Sequence, residues 1–455
     1  MNYKSFFTIL LLSLSGVILA QEKTDSISAV ILDAESGEPI QYASVYVSST
    51  CGTISNFDGE FCLRCLPSEN VRISCIGYQH VTLRASELPA VIRMQPISTT
   101  LKEITVTRGD NIIYQLVYKM QREARKHRKA EAQYFFRMAT QYPGTDELAE
   151  AFMTAKSCVQ IRDITFHSGS RGQLRGEQLD SPSLTGLGRT NLHMFLRLSP
   201  VLVNFDIWDN TFVPADLVFR RIKNLYEISC VQFTEEDGTE ISKVKVTGNP
   251  SINSRPVLDG TLYIDRKNLR LLRFDGQMHG LQIVLYDQAR EQHFYTGIDY
   301  SMHVDYRHDH GFTEIANMSG IITKDSVRIR QLLYNLGDKK LTFNKSVRVG
   351  ENMIQAIDKV GFDSTLWVTN NIVKRTQDEE RVVFKDPTFW LTNKSKYATA
   401  PSSEQQRTDN YLQDAIRQLM DNTMQLQRTP LTPRSTKKNK SKSTIHIDEK
   451  SLYYK

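Results

Sequence analysis

The chain has 455 residues, of which 40% are hydrophobic and 24% charged. At about 150 residues per domain, that length predicts two or more folded units with sizeable cores, and the composition excludes collagen-like, coiled-coil and wholly disordered chains. The formal charge is +6, and the acid-free run from Arg428 to Lys442 (Arg428, Arg434, Lys437, Lys438, Lys440 and Lys442) accounts for that excess. The rest of the chain is near neutral, so bulk charge excludes a nucleic-acid binder.

Lys4 followed by the apolar stretch Phe6 to Ala20 predicts a secretory signal peptide over residues 1–20, too short for a comfortable membrane span. Ile18 is bulkier than the small residue usual three places before a cut. No cysteine follows the stretch to carry a lipid anchor, and no later segment approaches 18 consecutive apolar residues. Export is therefore expected. An oxidising compartment permits disulfides among Cys51, Cys62, Cys65, Cys75, Cys158 and Cys230, but spacing does not give their pairing. Cys62 and Cys65 form a C-x-x-C inside the strand-like run FCLRC, where no helix start stabilises a thiolate. A second ligand pair at zinc spacing is missing, so structural disulfides or buried thiols are expected there.

Residues 22–97 read as a small antiparallel sandwich: short alternating runs such as IQYASVYV, with Ala43, Val45 and Val47 on one face, separated by turn residues such as Asn56, Asp58 and Gly59. Asp58 with Gly59 lacks the further acids and closing Glu of a calcium loop and is expected to form a turn. The string Asp33…Gly37-Glu38-Pro39…Ala43-Ser44-Val45, then Gly52-Thr53…Asn56…Asp58-Gly59…Phe61, then Ile73-Ser74…Ile76-Gly77-Tyr78 resembles the carboxypeptidase regulatory-like domain. That resemblance implies a seven-stranded, transthyretin-like sandwich of exported Bacteroidetes-type proteins and an outer-membrane context, and it implies no peptidase activity. The four nearby cysteines depart from the usual pattern. Leu101 to Thr107 resembles the segment after this domain in TonB-dependent receptors, but no plug and barrel follow.

Residues 98–132 read as a linker and an amphipathic helix, capped by Asp110 and running to about Ala132. Ile112, Ile113, Leu116, Val117, Met120 and Ala124 recur at helical spacing, and Lys119, Arg122, Arg125, Lys126, Arg128 and Lys129 make its far end basic. Such a run is expected to be a solvated face that complements the helix C-terminus; contact with acidic lipid headgroups or lipopolysaccharide phosphates is the alternative. Residues 133–395 read as a larger α+β domain dominated by antiparallel sheet. Ile298, Tyr300, Met302, Val304 and Tyr306 alternate with Asp299, Ser301, His303 and Asp305, the pattern of a strand buried on one face. The hairpin from Gly260 to Asp265 with its turn at Lys267-Asn268 resembles hairpins of periplasmic lipoprotein-carrier half-barrels. Phe362-Asp363, Trp367 and Asn370-Asn371-Ile372 resemble a segment of exported Bacteroidetes proteins with no assigned activity. Residues 396–428 are expected to form a helix, with Ser402 and Gln405 at capping-box spacing, and residues 429–455 a flexible basic tail.

No catalytic, cofactor-binding or metal residue is assigned. A phosphate-cradling loop is missing, Gly186-Leu187-Gly188 lacks the third glycine of a dinucleotide loop, and hydrolase and zincin motifs are absent. His308, Asp309 and His310 with Glu314 come nearest to a metal cluster, yet RHDHGFTE reads as a polar turn without a third ligand at short spacing. The fold class expected is mainly β. The leading function is a non-catalytic exported binding or assembly module at the periplasmic or outer-membrane surface. Its partners would be outer-membrane proteins or envelope lipid or glycan, with no nucleic acid and no transmembrane span. A periplasmic lipid or lipoprotein carrier and a hydrolase with an unrecognised site are the alternatives. An apolar pocket in the large sheet would favour the carrier, convergent carboxylates or histidines the hydrolase, and a packed sheet the binding module.

Overall fold

The computed structural model of the chain describes residues 24–97, 109–142, 145–158, 161–175, 226–235, 237–248, 258–286, 292–324, 327–338, 340–349, 353–370 and 372–385. The expected signal peptide, the Leu101–Thr107 segment, Gly186–Gly188, the 396–428 helix with Ser402 and Gln405, and the basic tail lie outside the described residues. The fold is mainly β, with an N-terminal sandwich and a large antiparallel sheet.

Seven strands build the sandwich: β1 (Asp25–Asp33), β2 (Ser44–Ser48), β3 (Cys51–Ile54), β4 (Glu60–Cys65), β5 (Asn70–Ser74), β6 (Val81–Arg84) and β7 (Val91–Met94). The sheet β4-β1-β7 faces the sheet β3-β2-β5-β6. Because side chains alternate along a strand, one apolar set from each sheet meets in the middle. Ile31, Phe61, Leu63 and Met94 come from one sheet, Val45, Val71 and Ile73 from the other. Ala43 and Val45 are buried and Val47 packs against the same core, as their alternation predicts. Asn56, Asp58 and Gly59 do form the turn into β4: the Asn56 side-chain oxygen accepts from the amides of Asp58 and Glu60, each at 2.9 Å. Gly59 adopts a φ of +74°, open to glycine at little cost.

The second sheet takes strands β8 (Glu131–Tyr142), β9 (Thr145–Ser157), β10 (Ile161–Arg175), β11 (Tyr226–Thr234), β12 (Glu240–Gly248), β13 (Leu258–Asp265), β14 (Arg270–Tyr286), β15 (Gln292–Arg307), β16 (Glu314–Lys324), β17 (Val327–Asn335) and β18 (Val347–Arg348). Their order is β11-β12-β13-β14-β15-β16-β17-β8-β9-β10-β18, so the meander from β11 to β17 closes onto β8. Four α-helices are described: α1 (Gly109–Lys126), α2 (Met353–Val360), α3 (Ser364–Thr369) and α4 (Gln377–Lys385).

The two faces of this sheet differ in chemistry. One carries Tyr134, Phe136, Val244, Leu262, Phe274, Tyr300, Val304, Met318 and Leu333, and packs with the apolar stripe of α1 (Ile113, Leu116, Val117, Met120, Ala124) and with Ile357 of α2. Phe274 lies over two glycines of this face, Gly260 and Gly276, where a Cβ would collide with its ring. The other face is polar over β13–β16 and apolar near β8, where Phe135 and Phe152 meet Trp367 of α3 and Tyr42 and Ile54 of the sandwich. The sandwich sits on this second face.

Two expectations need correction. The helix ends at Lys126, not near Ala132: a turn closed by the Ala130 amide on the His127 carbonyl intervenes, and Ala132 pairs with Ala155 in the sheet. The β-favouring run YFFRMAT captures that stretch into β8. Asp110 falls inside the first turn of α1, since the helix begins at Gly109.

Candidate functional site

β14 and β15 are antiparallel neighbours in a register that opposes Arg273 to Asp305 and Asp275 to His303. With a period of two, all four side chains leave the same face, the one the sandwich covers. They join into one network. Arg273 Nε donates to Asp305 Oδ1 at 2.7 Å; His303 reaches Asp275 Oδ1 through Nδ1 at 2.5 Å and Asp305 Oδ2 through Nε2 at 2.9 Å. Asn317 of β16 adds an amide donor to Asp305 Oδ2 at 3.0 Å.

The sandwich supplies the roof. The Tyr42 ring stacks on His303 with centroids 4.6 Å apart and planes 25° apart. Tyr42 holds a φ of +60°, an uncommon state for a bulky side chain that persists only where packing imposes it. Cys75 Sγ lies 3.5 Å from Arg273 Nη1, and the amide of Gly77 donates to Glu235 Oε1 at 3.0 Å. Gly337, at φ +72°, approaches Ser49 so closely that a Cβ there would stand 2.7 Å from its carbonyl oxygen. Between roof and sheet lies a cleft of about 560 Å³, lined by Gln41, Tyr42 and Tyr78 above and by Lys245, Thr261, Asp275, Gln277, Ser301 and His303 below. A second cleft of about 380 Å³ opens at the other end of the junction, between Tyr46 and Thr53 of the sandwich and Arg307 and Tyr334 of the sheet.

Charge balance fixes the protonation of this network. Burial works against the imidazolium of His303, but the carboxylates of Asp305 and Asp275 outweigh it and lift its pKa to about 9. Burial opposes ionisation of Asp305 too; Arg273 and His303 overcome that and hold it well below the usual carboxylate range. Burial pushes the Tyr42 hydroxyl and the Cys75 thiol up, so both stay protonated. At neutral pH His303 is therefore an imidazolium beside an ionised Asp305 and the Arg273 guanidinium. His303 then donates from both nitrogens and has no lone pair for a proton, while Asp305 is engaged by three donors. In this state His303 orients and holds its neighbours and is not itself a base.

The residues weighed from sequence are placed apart from this network. His308 to Thr313 form the turn between β15 and β16. His308 Nε2 bonds the Leu271 carbonyl at 2.8 Å, whereas His310 faces Glu314 at 3.4 Å and Asp338 at 3.5 Å, so the two rings do not converge. Among the described residues no group of three or more histidine, cysteine or acidic side chains could hold a metal. Cys62 and Cys65 both lie in β4 but, three residues apart, point to opposite sides: Cys62 Sγ contacts Ser26 Oγ at 3.0 Å and Cys65 is buried in the sandwich core. No disulfide joins the six cysteines; Cys65, Cys75, Cys158 and Cys230 are buried and Cys51 and Cys62 half-buried. Asp299, Ser301, His303 and Asp305 read as a solvated face in the sequence; the sandwich covers His303 and Asp305 instead. The signal that could have revealed this is the run of opposite charges at matching parity on two successive strands, Arg273-Asp275 and His303-Asp305.

A second buried network ties the C-terminal segment to the same face. Arg137 donates to Glu150 at 2.6 Å, to Glu379 at 3.3 Å and to the Val373 carbonyl at 2.6 Å, and Arg375 grips Glu150 at 2.7 Å. Burial opposes the Glu150 charge, but Arg375 and Arg137 keep its pKa low. Lys374 pairs with Glu60 of the sandwich at 3.1 Å, so this segment also braces the roof.

Residues 27–106 match the family profile of the CarboxypepD_reg-like domain. No curated protein matches the chain. Among solved structures, a DUF1329 family protein from Desulfovibrio piger aligns at 12% identity over 52% of this chain and 96% of its own, with a TM-score of 0.20. The MucA/MucB complex of Pseudomonas aeruginosa aligns at 10% over 49% and 94%, with a TM-score of 0.17. A putative outer membrane lipoprotein-sorting protein domain from Vibrio parahaemolyticus aligns at 8% over 54% and 98%, also with a TM-score of 0.17. Overlaps of that depth define neither fold identity nor function. No helix among the described residues is long and apolar enough to cross a membrane.

Proposed function

We propose that this chain is a non-catalytic exported protein that works at the periplasmic or outer-membrane surface as a binding or assembly module. In this reading the sandwich (22–97) and the β-rich region (133–395) are two units that together form the ligand or partner site, in the cleft between them. The observation that carries it is the network under Tyr42: Arg273, Asp305 and His303 are largely buried and hold one another, while Lys245 and Gln277 stand exposed along the cleft, which suits recognition and not proton transfer. Partners would be outer-membrane proteins or envelope lipid or glycan of a Bacteroidetes-type cell. The continuous apolar face of the large sheet is the one feature that favours a lipid carrier, but α1 fills it with Ile113, Leu116, Val117 and Met120, and a lipid would have to displace that helix.

Site-specific photo-crosslinking in the native host tests the reading. A benzophenone side chain at Gln277, in the cleft, is expected to give an envelope adduct that the same group at Arg93, exposed on β7 of the sandwich's other sheet, does not. Adducts alike from both positions, or hydrolysis of an envelope substrate abolished by His303→Gln, would remove the proposal.

A further inference from the structure

α1 presents a surface that the cleft does not use. Its apolar stripe is committed to the large sheet, so its outer side is fixed toward solvent. There Tyr118 is 52% exposed, an unusual position for a large aromatic ring, and Arg122 lies 5.9 Å over it. Arg122, Arg125, Lys126, Arg128 and Lys129 are all exposed on the same element and its following turn. Lys119 Nζ donates to the carbonyls of Asn268 at 2.6 Å and Leu269 at 3.1 Å, which brings the β13–β14 turn, with exposed Lys267, alongside. The lone acid of this stretch, Glu123, also lines the trough, but its carboxylate is engaged: it accepts from both the amide and the hydroxyl of Thr313, at 3.0 and 2.6 Å, and pairs with Lys119 at 3.8 Å. The outcome is a broad basic trough of about 1050 Å³ with an amphipathic ring at its edge.

We propose that this ledge docks the protein on an anionic phospholipid bilayer. Basic side chains brought within a Debye length of anionic headgroups gain attraction without burial, and an exposed tyrosine suits the headgroup boundary, where one end of the ring is apolar and the other wet. The contact is peripheral, because the apolar side of α1 faces the sheet. A protein held this way would present its cleft to other envelope components from the membrane surface. The ledge and the cleft are separate surfaces, so either reading can fail without the other.

The test is sedimentation of the purified full chain with vesicles of phosphatidylglycerol and phosphatidylcholine against vesicles of phosphatidylcholine alone. At roughly a fivefold factor per basic residue, the triple substitution Arg122→Glu, Lys126→Glu, Lys129→Glu is expected to weaken binding to anionic vesicles by at least tenfold. The equally charged control Arg72→Glu, Arg84→Glu, Arg93→Glu on the sandwich is expected to weaken it far less, with both variants matched for circular dichroism. Tyr118→Trp adds a second readout: its emission shifts to the blue on anionic vesicles and not on neutral ones. Equal losses in the two triple variants, retained binding in the ledge variant (which would place the contact on the Arg428–Lys442 run), no blue shift, or tighter binding to an RNA duplex than to anionic vesicles would each overturn it.

Discussion

Replacing Asp305 by asparagine removes the anion at the centre of the covered network. The carboxylate accepts from Arg273 Nε, His303 Nε2 and Asn317 Nδ2 at 2.7, 2.9 and 3.0 Å. The side chains of Arg273 and His303 are 10% and 11% exposed, so water does little to replace the lost partner. His303 can respond by giving up its proton; Arg273 cannot, and is left a buried cation without its ion-pair partner, with only the charge of Asp275 nearby. Breaking a buried pair in this way costs about 3–5 kcal/mol. For a unit of 150–250 residues each kcal/mol shifts the melting midpoint by about 2–4 °C, so Asp305→Asn should lower it by roughly 6–20 °C at pH 7. Differential scanning calorimetry reads this directly, with Glu240→Gln as the comparison. Glu240 pairs with Arg266 at 3.7 Å in an exposed pair worth about 0–1 kcal/mol, and its loss should hardly move the midpoint. A fall of less than 2 °C in Asp305→Asn would refute the claim that the network is buried and balanced.

His303 should make stability depend on alkaline pH. Its folded pKa of about 9 lies above the ordinary 6.5, so its contribution is fully present below pH 6.5 and is lost as the pH rises through 9. The loss is on the order of 3 kcal/mol across that window, visible in urea titrations at stepped pH and absent in His303→Gln. Gly337→Ala should loosen the roof, because its Cβ would press on the Ser49 carbonyl at 2.7 Å; faster hydrogen exchange in β2 and β3 is the readout. Trp367→Ala, which removes ring packing against Phe135 and Phe152 and the indole bond to Ser168, should cost about 3–5 kcal/mol. Oxidised protein, digested and mapped by mass spectrometry, should contain no Cys62–Cys65 bridge.

The sequence made the strand-rich architecture readable because its signals are local. Alternation exposed the Ala43-Val45-Val47 and Tyr300-Met302-Val304-Tyr306 faces, and turn chemistry exposed Asn56-Asp58-Gly59 and Lys267-Asn268. The end of α1 is not legible locally, because Lys126 to Ala132 is compatible with helix until the tertiary pairing of Ala132 with Ala155 decides it. The cleft was not legible. Its network depends on the β14–β15 register and on which face the sandwich covers, and neither is written in the periodicity of one strand. Polar residues opposite an apolar face read as solvated by default, and nothing in the strand itself marks His303 and Asp305 as covered. The motif-like residues His308, His310, Cys62 and Cys65 drew notice by type and spacing, yet their side chains point to different partners.

The protonation state of His303 is the most direct test of a covered, non-catalytic cleft. Nitrogen-edited NMR of the histidine rings, with His303→Gln to assign the signal, should show both ring nitrogens protonated at pH 7.5 and a titration midpoint near 9. A midpoint close to 6.5, with one nitrogen free at neutral pH, would mean that Tyr42 and the sandwich do not cover the network and that His303 is available as a base.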